Sequence, residues 1–189
     1  VLKMLDIQHV SYYSLILEEG TILKYQNYQP LDDEQEYQWN FLIDEKLQEL
    51  GFDKYEVSNY AKKGYESKHN LVYWHFENYY GVGLGSCGKN NHQIIEHSRS
   101  LTKYLNGDFK TTTIKEEMMF DQVMMSLRLV EGLNLEVFKE RYQEDALEIY
   151  QDAIDKNKKE GRLVIEDNFL KATKEGLYVL NDILVDFMK

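Results

Sequence analysis

The chain has 189 residues, with 22 Lys plus Arg against 33 Asp plus Glu for a formal net charge of −11, and it is 43% hydrophobic and 13% aromatic. That length holds one large domain or two small ones, and the apolar content excludes wholesale disorder. A single cysteine, Cys87, excludes an intrachain disulfide and a cysteine-cluster metal site, and the acid excess argues against non-specific binding to a nucleic-acid backbone. No apolar run approaches the roughly 18–20 residues of a membrane helix and no signal peptide is visible, so a soluble, cytoplasmic protein is expected. The opening Val1-Leu2-Lys3-Met4-Leu5 runs straight into an apolar pattern without an initiator Met, which suggests part of a longer protein.

Residues 9–17 are rich in β-branched and aromatic side chains and read as a largely buried strand, closed by a turn at Glu19-Gly20. Past Pro30, Asp32 or Asp33 caps a helix that runs to about Leu50 and ends at Gly51. Tyr37, Phe41, Ile43, Leu47 and Leu50 lie on or near one face of it. Tyr55–Tyr60 alternates like a short strand, and strand–helix–strand at this spacing predicts a βαβ unit with a parallel sheet. Residues 61–78 are irregular and polar-aromatic, and the glycine-rich stretch Tyr79–Gly88 follows. Residues 89–98 form a loop or short hairpin, and Ser100–Asn106 a short helix ending at Gly107. Beyond residue 110 the character changes. Thr113 and Glu116 have capping-box spacing for a helix reaching about Val130, with Gly132 as its stop. Helices over 135–141 and 146–160, a hairpin over 162–172 and a last helix capped by Thr173 complete a winged-helix-type module.

The first segment with chemistry is His69-Asn70-Leu71-Val72-Tyr73-Trp74-His75. Histidine binds haem iron or shuttles protons, and Trp and Tyr offer flat faces to a macrocycle. The plain alternative is a loop whose aromatics plug the end of a sheet. In Gly81-Val82-Gly83-Leu84-Gly85, glycines at every second position fit a strand that a ligand or another backbone approaches closely. A dinucleotide loop is rejected, because Ser86 stands where the last glycine should be and no helix follows at once. Cys87 fits a buried structural thiol. Over residues 114–189, 11 basic side chains face 17 acidic ones, so the winged-helix-like tail suits packing or protein binding rather than DNA. The acidic pairs Glu18-Glu19 and Asp32-Asp33 suit a solvated turn and a helix cap.

Three strings taken together carry a family resemblance: Tyr55–Ala61, Gly64–Trp74 with its H-N-x-x-Y-W, and Tyr80–Gly85. They resemble the radical S-adenosylmethionine family of oxygen-independent coproporphyrinogen III oxidase-like proteins. Ser11–Leu15 with Glu18–Thr21 looks like its late barrel strand and following turn, and Leu127-Arg128, Gly132 and Thr173–Gly176 look like its C-terminal domain. H-N-x-x-Y-W points to the haem-chaperone (HemW) branch. The resemblance implies an α/β fold: the C-terminal part of an incomplete (β/α) radical-SAM barrel over 1–110, then a mainly helical, winged-helix-like domain over 111–189. It implies that the full-length protein uses S-adenosylmethionine, a [4Fe–4S] cluster and haem. The family's C-x-x-x-C-x-x-C loop cannot be present with Cys87 alone, so this chain is expected to hold no cluster and to be inactive by itself in cleaving S-adenosylmethionine.

By motif position the resemblance makes His69 a haem ligand through iron, with Tyr73 and Trp74 against the macrocycle. Ile16 and Cys87 would supply backbone contacts to S-adenosylmethionine. Ser86-Cys87-Gly88 departs from the G-A-H-S of many relatives, which a backbone contact tolerates. No catalytic residue is assigned. The implied function is haem binding and delivery to acceptor proteins. The alternatives are coproporphyrinogen III oxidation and a non-catalytic interaction module. Implied partners are haem or porphyrin, acceptor proteins and the missing N-terminal half of the barrel. A dimer through open sheet edges is also expected, without nucleic acid. His9, His75, His92 and His97 are unranked as alternative ligands.

Overall fold

The structure is a computed structural model that describes residues 4–26, 28–90, 93–112 and 115–188. It divides into two compact units, 1–66 and 67–189.

In the first unit, Asp32 caps the long helix. Its carboxylate accepts from the Gln35 N–H at 2.8 Å, and the Gln35 side chain returns to the Asp32 N–H at 3.4 Å. This reciprocal box satisfies two of the donors that every helix start leaves open. The elements run β1 (His9–Ser11), α1 (Ile22–Tyr25), α2 (Asp33–Glu49), β2 (Asp53–Glu56) and β3 (Asn59–Ala61). Gly51, at φ +81°, ends α2 as expected. Leu47, Phe52 and Tyr60 form the buried cluster, with Ile43, Leu50 and Val10 packed against it. Tyr37 and Phe41 are exposed instead.

Three expectations need correction here. The strand expected over 9–17 is regular only over 9–11 and not largely buried. Its neighbour β3 is three residues long, and past Ser11 the Tyr12 N–H to Ser58 carbonyl bond of 2.8 Å extends the pairing. Tyr55–Tyr60 is not one strand but the two arms of a hairpin turning at Val57-Ser58. The Glu56 carboxylate fastens that turn by accepting from the Ser58 N–H at 3.3 Å and from the Asn59 amide. The sheet order is β1-β3-β2 with both pairs antiparallel, so β1 and β2 point the same way but β3 separates them. An immediate turn forces antiparallel pairing, and that inserted arm replaces the parallel neighbour of a βαβ unit.

The second unit begins with α3 (Lys68–Trp74), followed by β4 (Cys87–Asn90), β5 (Gln93–His97), α4 (Leu101–Leu105) and β6 (Phe109–Thr112). The three strands form an antiparallel sheet in chain order. The anticipated glycine strand is a loop: Gly83 and Gly85 have φ of +106° and +65°, and Tyr79 alone bridges to Lys89. Regular pairing starts at Cys87.

Residue 115 opens α5 (Lys115–Ser126), and the proposed cap Thr113 lies outside the described residues. Then come β7 (Leu133–Asn134), α6 (Leu135–Tyr142), α7 (Ala146–Ile149), α8 (Gln151–Lys159), β8 (Leu163–Glu166), β9 (Phe169–Ala172), α9 (Lys174–Tyr178) and α10 (Leu180–Asp186). The expected helix 146–160 breaks at Tyr150, and the last one breaks at Val179. Asp167 and Asn168, at φ +49° and +66°, make the two-residue turn that matches the twist of the β8–β9 hairpin. Gly132 stops the chain after α5 at φ +81°, where a Cβ would stand 2.2 Å from the Leu170 carbonyl oxygen. A Cβ on Gly176 would stand 2.1 Å from that of Arg162. Leu127, Leu133, Phe138, Leu170 and Ile183 are wholly buried in this part.

Candidate functional site

The H-N-x-x-Y-W string is helical. The Ser67 hydroxyl caps α3 by accepting from the Asn70 N–H at 3.3 Å. Residues four apart share a helix face, so His69 and Tyr73 meet. Their rings stand edge to face at 4.9 Å, and Tyr73 meets Tyr79 in the same manner at 4.7 Å. The Tyr79 hydroxyl then donates to Cys87 Sγ at 3.8 Å. The fold therefore brings His69, Tyr73 and Cys87 into one run, joined by Tyr79, which the sequence did not single out. Burial, then the contact with the Cys87 thiol, holds the Tyr79 phenol well above its ordinary range, so it acts as a proton donor. Cys87 is exposed, not the buried thiol expected.

Trp74 lies five residues past His69, roughly 140° around the helix, and serves another surface. The Arg128 guanidinium lies 5.8 Å from its ring, and its carbonyl accepts from the Ser126 hydroxyl at 3.1 Å. Its indole nitrogen is buried without a hydrogen-bond partner among the described residues. These contacts pin α3 to α5.

The histidines differ in what surrounds them. His9 Nε2 is hydrogen-bonded to the Tyr55 hydroxyl at 2.9 Å. His75 Nε2 lies 2.5 Å from Glu131, and its Nδ1 lies 3.8 Å from Glu77. The Glu131 bond raises the His75 pKa above its ordinary 6.5 and lowers that of Glu131. His97 is wedged between the rings of Tyr104 and Phe109. His92 lies outside the described residues. His69 is exposed, and neither of its ring nitrogens has a hydrogen-bond partner among the described residues.

The glycine loop answers a different need. A Cβ on Gly81 would lie 2.3 Å from the Cys87 carbonyl oxygen, and one on Gly88 would lie 2.8 Å from the Gly81 nitrogen. What comes close to these glycines is the chain's own backbone. The Gly83 N–H donates to the Tyr104 hydroxyl at 3.1 Å, which holds the loop to α4. In the first unit Ile16 sits in an irregular, 79% exposed position, so its backbone is not spent on strand pairing.

Sequence reasoning also passed over Lys89. Its ammonium donates to the Phe76 carbonyl at 2.7 Å and lies 4.1 Å from the Phe76 ring. Burial, then the nearby Arg141, lowers its pKa to about 8. A lysine in a strand looks solvated in sequence, and only the fold buries it. No group of three or more His, Cys, Asp or Glu side chains suited to a metal ion occurs among the described residues.

The HemN C-terminal domain family matches residues 115–179. The heme chaperone HemW of Buchnera aphidicola subsp. Acyrthosiphon pisum is 32% identical over 96% of this chain and 50% of that protein. The HemW of Bacillus subtilis is 28% identical over 97% of this chain and 52% of that protein. The fold matches coproporphyrinogen III oxidase (HemN) from Escherichia coli, a radical SAM enzyme, with a TM-score of 0.67 at 13% identity, over 98% of this chain and 49% of that one. The chain spans about half the length of the curated relatives it matches. Over nearly its whole length the chain is similar to HemW heme chaperones, and its residues 115–179 carry the HemN C-terminal domain match.

Proposed function

We propose that this chain forms the haem-handling part of a HemW-like haem chaperone, with His69 as the ligand to the haem iron. The observation that carries the reading is the open imidazole of His69, exposed on α3 and braced edge-on by Tyr73. A neutral imidazole with a free nitrogen suits haem iron. Tyr73 limits the swing of that ring and offers a flat surface beside it. Trp74 takes part indirectly, by fixing α3 on α5. Haem is the cargo here, and acceptor proteins are the receivers.

The proposal extends to backbone contacts with S-adenosylmethionine from Ile16 and Cys87 in the full-length protein. The [4Fe–4S] cluster does not fit this chain, because three thiolates cannot come from Cys87 alone. The domain boundary near residue 110 belongs to the same reading, supported by a matched C-terminal domain that starts at 115. So do the missing half of the barrel and a second copy as partners, since open strand edges invite pairing. Cytoplasmic location is part of it too: no described helix is long and apolar enough to cross a membrane.

The test is haem titration of the full-length protein and its His69→Ala variant, followed by absorbance. The variant is expected to bind at least about tenfold more weakly, roughly 1.4 kcal/mol, with an altered spectrum. Equal affinity and an unchanged spectrum would refute the assignment. Conversion of coproporphyrinogen III by the cluster-loaded protein would establish the oxidase instead.

A further inference from the structure

A cleft of about 270 Å³ opens in the second unit between α6, β9 and the chain just past α3. Arg141 of α6 lines it, with Gln122 and Ser126 of α5 beside it and Val137 and Phe169 as apolar wall. Arg141 is half-buried. Its guanidinium donates to Gln122 Oε1 at 2.6 Å, lies 5.7 Å from the Phe76 ring, and touches the Tyr142 hydroxyl. Arg162 pairs with Glu160 at 2.9 Å, but Arg141 has no carboxylate within ion-pair distance among the described residues.

The neighbouring charge makes this more costly. Lys89 of β4, which also lies against the Phe76 ring, is a second buried cation close enough to Arg141 for the two to repel. Two partly desolvated cations that no carboxylate pairs with directly among the described residues are unfavourable in any protein. Glu131 and Glu77 also line the cleft, but both lie against His75, and Glu77 offsets only part of the cost at Lys89. Those same acids disfavour a multiply charged anion. A single carboxylate on a small apolar body would meet the unfilled donors of Arg141, the Ser126 and Gln122 side chains, and the Val137–Phe169 wall.

We infer that this cleft is a carboxylate-binding site centred on Arg141, separate from the His69–Tyr73 pair. Two sources share that chemistry: a free small acid, and a carboxylate on the rim of a larger ligand such as a porphyrin. Only the second source rests on the haem reading.

The experiment is titration of the full-length protein with propionate and with its uncharged analogue propionamide, read by calorimetry. Wild type, Arg141→Gln and Val137→Phe are compared, the last blocking the cleft without touching the charge. Wild type is expected to prefer propionate by at least tenfold, and both variants are expected to lose that preference. Thermal melting checks that each is folded; if Arg141→Gln does not fold, Val137→Phe decides. A parallel titration uses haem and haem dimethyl ester. If Arg141→Gln weakens haem more than its ester, the carboxylate belongs to the macrocycle; equal effects with propionate preference intact assign a free acid. Absence of carboxylate preference in both ligand pairs overturns the inference. His69→Ala serves as the separate control: its failure to alter haem binding would sink the assignment of His69 as the haem ligand while leaving the propionate result standing.

Discussion

The first unit and the C-terminal part of the second draw on similar apolar side chains and use them differently. Among the described residues of 1–66 the buried hydrophobic ones are Leu47, Phe52, Tyr60 and Ala61, while Ile16, Ile22, Tyr25 and Trp39 face solvent. Over 115–188 the buried set runs from Met118 to Phe187. The difference teaches that apolar content does not decide burial; a second layer does. The C-terminal part lays helices against the β7-β9-β8 sheet and closes on itself. The first unit sets one long helix against three strands of three or four residues. An exposed apolar surface of that extent is typical of a face that another segment or partner covers.

Substitutions in the two regions sharpen this contrast. The largest effect is expected for Gly176→Ala, whose Cβ would collide with the Arg162 backbone. It should cost about 3 kcal/mol or abolish folding of the C-terminal part. Denaturant unfolding read by Trp74 fluorescence in a Trp39→Phe background checks it; an unchanged midpoint would show that the two backbones can part freely. Next comes the first unit, read by Trp39 in a Trp74→Phe background. Leu47→Ala should cost about 2–3 kcal/mol, while Leu42→Ala on the same helix should cost within about 0.5 kcal/mol. Equal losses would mean that α2 is covered on both faces.

A smaller effect than that of Leu47→Ala attends the His75–Glu131 contact. His75 is raised by it, so its share of stability is complete below the ordinary 6.5 and lost as pH rises through the folded value. Glu131 is lowered, so its share is present above the ordinary 4.5 and lost as pH falls through the folded value. The pair therefore contributes most between about pH 4.5 and 6.5. Because both side chains are substantially exposed, Glu131→Gln should cost at most about 1 kcal/mol there, and less at pH 8. A difference that grew with pH would contradict the assigned pairing.

What the sequence made legible was local. Asp32 and Thr173 cap helices where their spacing predicts, Gly51 and Gly107 end them, and the Asp167-Asn168 turn sits between two short apolar runs. Each of these depends on contacts within a few residues. Long-range pairing was not legible. Nothing near Val57-Ser58 marked a turn, because its fastening comes from Glu56, a carboxylate that sequence alone places in water. Likewise the glycines at 81 and 88 announced a close approach without saying what approached. Of the candidate site, the His69 and Tyr73 proposals come from their motif, whereas Tyr79, Lys89 and Arg141 acquire their chemistry only from neighbours brought together by the fold.

The β8–β9 hairpin carries a further consequence. Its Leu170 carbonyl abuts Gly132, which precedes it in the chain, and the carbonyl of Arg162, at its entrance, abuts Gly176, which follows it. A wing of ordinary winged-helix proportions could fray on its own, but this one is clasped by backbone from both directions. The outer amides of edge strand β8 stay open to solvent, but those that pair β8 with β9 exchange when the Gly132 and Gly176 segments let go, so opening of the β8–β9 ladder is tied to cooperative unfolding of the surrounding domain rather than to local breathing.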